Sequence, residues 1–493
     1  MDSATPESSK PWSLIGTALA LLALYLIGDV IYSLYFHPLR HIPGPKINAI
    51  TRIPSIYHML RGTTKENVTR LHDKYGEVVR VSPNDLSFIS GETAWQDIYG
   101  FRTGQHKGQQ NMAKDPVWYP KAANGAPSIL LGNDEVHSRG RRILSHAFSE
   151  KALAEHFNDS PQNIADWYNW TTFDIISDLL FGEPFGCLQS RATHKYVGLV
   201  FKMLESFPLI FTISHYPWFK YVGALLGLID TGILRQRMEY ASWIYARAEK
   251  RAQTETNRPD FYSHILAHNG TKEGRDGKVL AMSQDEINSN CLLFITAGSE
   301  TTATLLSGAT YLLLKNPMVH ATLKQEVRSA FPTYDSITIE AVGRLPYLLA
   351  VLSESLRYFP PVPTGFPRQT PPSGATISGH FIPAKTSVYV SSYPTGHSSR
   401  NFKDPEKFAP ERWLGDAEYA DDKRSALQPF SFGPRNCLGK NLAYAEMRLI
   451  LAKIIWSFDM ELDAASENWM RECKVFTLWQ KPALAVQVRQ VVR

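Results

Sequence analysis

The residues best suited to chemistry lie in PFSFGPRNCLGKNLA, Pro429 to Ala443, where Cys437 sits between Gly433 and Gly439 with Arg435 two positions ahead. A cysteine that ligates a metal does so as a thiolate. The apolar helical pattern beginning near Leu438 to Leu442 supplies the free backbone N–H groups and the dipole that favour one. Gly433 and Gly439 allow backbone conformations and close approach that other residues resist, so the loop can press on a flat group. Arg435 offers a guanidinium to an anionic carboxylate, and Phe430 covers the sulfur from water. Each feature has a use if Cys437 is the axial ligand of a haem iron, because solvent exclusion and hydrogen bonding tune a thiolate's redox behaviour. The competing reading is a buried, inert cysteine beside a turn.

A second stretch, AGSETT from Ala297 to Thr302, sets a glycine, an acid and two threonines inside an otherwise apolar helical pattern. Gly, Ser and Thr in a helix interior cost from a few tenths to about 1 kcal/mol each relative to Ala, so something must offset the loss. Phe294, Ala297 or Gly298, and Thr301 fall on one helix face, where a small residue flanked by an aromatic ring and a hydroxyl makes a notch. Small residues at a helix crossing, with Glu300 on a wet face, fit equally well. Glu354 and Arg357 in ESLR are an i, i+3 pair that alone reads as a surface contact worth about 0 to 1 kcal/mol. FAPERW, Phe408 to Trp413, then adds Arg412 in a proline-bounded turn, and two arginines around one carboxylate would make a buried clamp.

Positioning these residues takes helices above all. Helical periodicity is clearest from Asp166 to Gly182, from Ser283 to Asn316, in LPYLLAVLSESLRYF and in NLAYAEMRLILAKIIWSF, and Ser283 with Glu286 has the form of a capping box. TISGHFIPAKTSVYVSSYP alternates around a Pro-Ala-Lys turn and reads as a small sheet. The expected fold class is mainly α with a minor β part. From residue 48 to 493 there is no second linker, repeat or low-complexity block, which reads as one large domain.

The N-terminus differs in kind. WSLIGTALALLALYLIGDVIYSLYF, residues 12–36, carries Asp29 as its only charge. The stretch up to Gly28 alone gives roughly 25 Å of helix at about 1.5 Å per residue, so the whole run reads as one transmembrane anchor rather than a cleaved signal peptide. Residues 1–11 form a lumenal tail and residues 37–47, with prolines 38, 43 and 45, a stiff hinge. Lys10 precedes the span while Arg40, Lys46 and Arg52 follow it, which places the main body on the cytoplasmic side. Four scattered cysteines exclude a disulfide framework or zinc-knuckle spacing, and a net charge of +5 from 52 Lys+Arg and 47 Asp+Glu gives no case for nucleic acid.

These motifs, in this order and over nearly the whole chain, resemble the cytochrome P450 family of haem-thiolate monooxygenases. The cysteine loop is similar to its F-x-x-G-x-R-x-C-x-G signature, ESLR to its E-x-x-R, FAPERW to its Pro-Glu-Arg segment and AGSETT to its oxygen-activating helix. The resemblance implies a triangular helical domain around a buried haem with small β-sheets, preceded by one transmembrane helix. It implies heme b (iron protoporphyrin IX) with Cys437 as axial ligand. His137 and Arg141 in EVHSRGRRILSHAFS, with Arg368 in TGFPRQT, join Arg435 at propionate positions. Gly298 would open a kink for O2, and Thr301 with Glu300 behind it would steady oxygen and relay protons. Glu354, Arg357 and Arg412 would form the structural clamp, and Phe294, Ala297, Val362, Phe366 and Phe476 would line an apolar substrate pocket.

No dinucleotide fingerprint occurs, so the resemblance further implies electrons from NADPH through a separate NADPH-cytochrome P450 reductase, with cytochrome b5 as a second donor. The reductase would dock near Arg435, Lys440 and Arg448. The anchor followed by IPGP looks like the microsomal form, which implies the endoplasmic reticulum membrane. YFHPLRHIPGPK and RRILSHAFS look like filamentous-fungal members that oxidise lipophilic terpenoid, polyketide or indole-derived intermediates of secondary metabolism. A haem-thiolate isomerase or dehydratase is disfavoured by the Glu300-Thr301 pair, and a haem carrier or sensor by the anchor and the oxygen-helix motif. One departure is that AEHFNDSPQNIAD bridges SHAFSEKAL to the next helix where relatives run some twenty residues longer, which bears on packing near Ala152 to Asp166 and not on the haem site.

Overall fold

The computed structural model describes residues 11–103, 107–119, 124–126, 128–131, 133, 161–219, 221, 223, 231–254, 260–269 and 281–491. It is predominantly helical with small sheets. The longest helix, Gln284–Lys315, begins on the expected capping box: the Glu286 N–H donates to Ser283 Oγ at 3.2 Å, and the Ser283 N–H donates to Glu286 Oε2 at 2.9 Å. Helices Ile164–Phe181, Pro317–Ala330, Pro346–Tyr358 and Lys440–Ser457 pack around it.

Two apolar clusters share that long helix. Ile287, Cys291 and Ile295 in its first half pack with helices Ile164–Phe181, Lys195–His215 and Thr231–Gln253. Ala303 to Leu313 in its second half pack with Leu348, Val351, Ile450 and Leu451. Residues 297, 298 and 301 fall where neither cluster is continuous, and a cavity opens there.

The largest sheet has five short strands in the order Val78–Ser82, Asp85–Phe88, Ser387–Val390, Arg368–Gln369, Ala113–Lys114, antiparallel except for the pairing of the second with the third. Its register sets Lys114 directly opposite Arg368 and Arg368 opposite Val388. The stretch expected as one small sheet divides in two. Ser378 and Gly379, at φ 48° and 79°, close a hairpin of Ala375–Ile377 with His380–Ile382, and the chain then leaves through Pro-Ala-Lys to enter the five-stranded sheet. Two successive positive-φ residues suit the right-handed strand twist better than a turn at Pro383 would.

The N-terminal helix Pro11–Ile31 continues into a π turn, Tyr32–Phe36, and the run Ile15–Phe36 holds an apolar window of mean hydropathy 1.9 that is unburied, with Ser33 near its end buried against the body. Helix Lys195–His215 is also long and apolar, but its inner face packs into the protein. Between anchor and body, Leu39 and Ile42 are buried under the five-stranded sheet, and the Arg80 N–H donates to the Pro43 carbonyl at 2.8 Å.

Candidate functional site

The cavity at the break between the two clusters measures about 290 Å³. The long helix contributes Phe294, Ala297, Gly298 and Thr301, as its 3.6-residue repeat requires. Val362 and Phe366 close a second side, and the cysteine loop provides Phe430, Arg435, Cys437 and Gly439.

Local geometry shapes that loop. Gly433 has φ +75°, and a Cβ built on it would lie 2.0 Å from the Tyr99 carbonyl oxygen, so only glycine fits. The Cys437 N–H donates to the Phe430 carbonyl at 2.8 Å, folding the loop back on itself, and helix Lys440–Ser457 starts three residues after the sulfur. Cys437 is exposed to the cavity. Cys187, Cys291 and Cys473 are buried, which pushes their thiols up to about 11, 12 and 12. Among the described residues no group of three His, Cys, Asp or Glu side chains could hold a metal ion, and Cys437 Sγ is the sulfur that lines the cavity.

Three cations line the same cavity: Arg435, Arg368 and Lys114. Lys114 and Arg368 are cross-strand partners of like charge, and the Lys114 ammonium also donates to the Leu130 carbonyl. Tyr119 lies beside them. Burial pushes its hydroxyl up to about 12 against the lowering effect of the Arg368 and Arg435 charges. An apolar slot with one exposed thiol and a cationic edge matches the chemistry of haem, whose propionates are anionic. Lys114 and Tyr119 are not among the site residues that the sequence motifs point to. Nothing in their types marks them; strand register places Lys114, and Tyr119 follows a few residues after that strand. His137 and Arg141 lie outside the described residues.

Two expected members are elsewhere. Glu300 lies a third of a helical turn from Thr301, faces away from the cavity and is fully buried, paired with Lys481. It is neither on a wet face nor behind the Thr301 hydroxyl, because helix phase carries it into the opposite packing layer. Phe476 lines a separate cavity with Phe201 and Leu204. Thr477, at φ +95°, reverses the Lys474–Phe476 and Leu478–Gln480 strands so tightly that the Phe476 ring is set against Gly62. Gly298 lines the cavity within an unbroken helix, and a Cβ there would lie 3.0 Å from Ile176, so its smallness also serves the crossing with Ile164–Phe181. Thr301 Oγ1 donates to the Ala297 carbonyl at 2.7 Å, leaving its lone pairs toward the cavity.

The structure brings the clamp residues together. Arg357 Nε and Nη2 donate to both Glu354 oxygens at 2.9 and 2.8 Å, and Arg412 Nε donates to Glu354 Oε1 at 3.0 Å. All three side chains are fully buried. The Trp413 indole and the Ala409 N–H also donate to Glu354, each at 2.9 Å, and Arg412 also pairs with Asp422. Burial raises the Glu354 carboxyl, but the Arg357 hydrogen bonds and the two guanidinium charges outweigh it and hold the group below its ordinary value. Arg435 faces the cavity and so is not a surface docking group. Lys440 is exposed, 5.9 Å over the Phe430 ring, and Arg448 lies 5.0 Å over Tyr444.

Similarity to known proteins covers the same ground. A family model described as "Cytochrome P450" matches residues 43–487. The chain is 52% identical over 505 aligned positions to cytochrome P450 monooxygenase traB of Penicillium crustosum, covering 98% of each chain. It is 42% identical to cytochrome P450 monooxygenase lcsI of Purpureocillium lilacinum, over 97% of this chain and 94% of that one. It is 41% identical to averantin hydroxylase of Dothistroma septosporum, over 95% and 90%. The 505-position alignment is longer than this 493-residue chain, so it contains positions at which the relative has residues that this chain lacks.

Proposed function

The chain belongs to the cytochrome P450 family, and from that premise we propose that it uses O2 and two electrons delivered by a separate NADPH-dependent reductase to hydroxylate or otherwise oxidise a lipophilic small molecule of fungal secondary metabolism. The observation that carries this reading is that the Cys437 thiol and the Thr301 hydroxyl line one apolar cavity edged by Lys114, Arg368 and Arg435. Heme b bound there supplies the oxygen chemistry and the electron storage.

The chain's own groups do the rest. Cys437, in the loop that folds back on Phe430, would hold the haem iron through its sulfur. Lys114, Arg368 and Arg435 would orient the group by its carboxylates. Thr301 offers hydroxyl lone pairs at the cavity wall. Phe294, Ala297, Val362 and Phe366 bind an apolar substrate and exclude water. One relative, averantin hydroxylase, is named for a hydroxylation, and hydroxylation is the type we assign here. We assign residues 12–36 to a single pass of the endoplasmic reticulum membrane, residues 37–47 to a hinge and residues 48–493 to a cytoplasmic catalytic domain. Their support is the unburied apolar helix and the basic residues after it. Lys440 lies on the cysteine side and is exposed, so we place it in the reductase-docking face, with cytochrome b5 as a second donor.

The test is a carbon-monoxide difference spectrum of the reduced protein, followed by NADPH and O2 consumption with a microsomal reductase in the presence of lipophilic candidates. A thiolate-type band with substrate-dependent oxygen uptake is expected. A thiolate band with product formed in the absence of O2 would overturn the oxygenase reading.

A further inference from the structure

Where the anchor helix meets the body there is a second cavity, of about 260 Å³, lined by Ser33, Tyr35, Arg40, His41, Lys46 and Arg80 together with the hinge backbone. Among the described residues that line it, none is acidic. Its wall is fixed by the fold. A Cβ built on Gly44 would lie 2.6 Å from the Arg80 carbonyl oxygen, so the hinge lies flat on strand Val78–Ser82, and the Arg80 N–H holds it there through the Pro43 carbonyl.

Arg80 is 2% exposed, and its side chain donates to carbonyls alone. Nε and Nη2 donate to Pro83 at 3.0 and 2.8 Å, Nη2 also to Ala49 at 3.4 Å, and Nη1 to Ser33 at 3.5 Å. These contacts orient the guanidinium and leave its charge without an anion. Burial lowers the group from its ordinary value, and no carboxylate acts against that. Asp85, on the adjoining strand, is taken by both terminal nitrogens of Arg52. The His37 imidazole is held below its ordinary value by burial first and by the Arg80 charge second, and Asp29 on the anchor helix is the least of the influences on it. A buried cation with no counter-charge is costly, and exposed Arg40 and Lys46 add like charge to the same cavity. An anion seated among the three offsets both costs, and a guanidinium suits the oxygens of a phosphate.

The place of the cavity says which anion. It opens directly after the apolar run, beside exposed Tyr32, Tyr35 and Phe36, and aromatic residues at the end of a span settle at the headgroup level. The anions concentrated there are lipid headgroups, which draw basic residues close to a span. We propose that this cavity seats the headgroup of an anionic phospholipid, with Arg80 as its floor and Arg40 and Lys46 at its rim. The inference rests on the reading of residues 12–36 as a membrane span. A headgroup of net negative charge is preferred to a zwitterionic one, whose ammonium the same three cations repel. The seated lipid ties the hinge to the five-stranded sheet and so fixes the body on the bilayer.

The experiment uses the full-length, haem-loaded protein in nanodiscs of phosphatidylcholine with and without phosphatidylserine. Phosphatidylserine should slow amide hydrogen exchange of residues 37–50 and 78–83 severalfold, and native mass spectrometry of protein released from the mixed discs should retain phosphatidylserine in preference to phosphatidylcholine. Arg40→Gln with Lys46→Gln, both exposed positions, should lose the preference severalfold, and Arg80→Gln should abolish it. Arg61→Gln with Lys74→Gln removes as much charge from exposed positions outside the cavity and should keep it. No preference in the wild type, or equal loss in both double variants, would overturn the proposal. Equal protection by inorganic phosphate over phosphatidylcholine discs would make the site one for free phosphate and overturn its assignment to lipid. Failure of the wild type to float with phosphatidylcholine vesicles would instead defeat the anchor reading, and water-soluble short-chain phosphatidylserine against short-chain phosphatidylcholine would still decide the cavity.

Discussion

The Cys437 N–H donates to the Phe430 carbonyl at 2.8 Å, closing a loop whose other fixed point is Gly433 against the Tyr99 carbonyl. The sulfur is therefore aimed by backbone geometry on both sides. Cys437→Ala should abolish the carbon-monoxide difference band of a thiolate haem while leaving membrane attachment intact. Gly433→Ala should cost haem loading as well, because both the positive φ and the Cβ contact are forbidden. Pyridine haemochrome content against total protein measures the loss.

The clamp around Glu354 predicts a stability effect. Glu354→Gln leaves the buried Arg357 without its carboxylate and Arg412 with Asp422 alone, and breaking a buried pair costs about 3 to 5 kcal/mol. Denaturant unfolding followed by tryptophan fluorescence should show that loss, and Arg412→Lys should show a smaller one.

Lys114 and Arg368 face each other across two strands with like charge. Lys114→Met should speed haem loss to an acceptor apoglobin. Equal rates of haem release in variant and wild type would show that Lys114 does not touch a propionate.

His72 gives a pH signature. Burial lowers it from 6.5 to about 4, against the raising effect of its Gly76 contact at 2.9 Å, and Ser87 Oγ is 2.7 Å from its other ring nitrogen. Between those two values the unfolded chain binds the proton and the folded one does not. Stability is thus full above 6.5 and falls as the pH drops toward 4. From pH 7 to 5 this one group should remove about 2 kcal/mol, and His72→Gln should lose correspondingly less over that interval.

The sequence by itself determined the local features. The capping box at Ser283, the helical periods, the apolar anchor, the cysteine loop with its glycines and the acid-arginine pairs are all written in residues a few positions apart, where backbone geometry and helix phase decide the outcome. Even the departure of Glu300 from the Thr301 face follows from the helical repeat. What covers Glu300 does not, since Lys481 lies 181 positions away. Lys114 meets Arg368 only through strand register, Trp413 joins Glu354 only when two distant segments pack, and Phe476 is turned aside by the tight reversal at Thr477. Buried charges choose their partners by proximity in the packed core, and no local pattern specifies which distant side chain will be there. Tertiary structure alone settled where the buried charges went and which residues share a cavity.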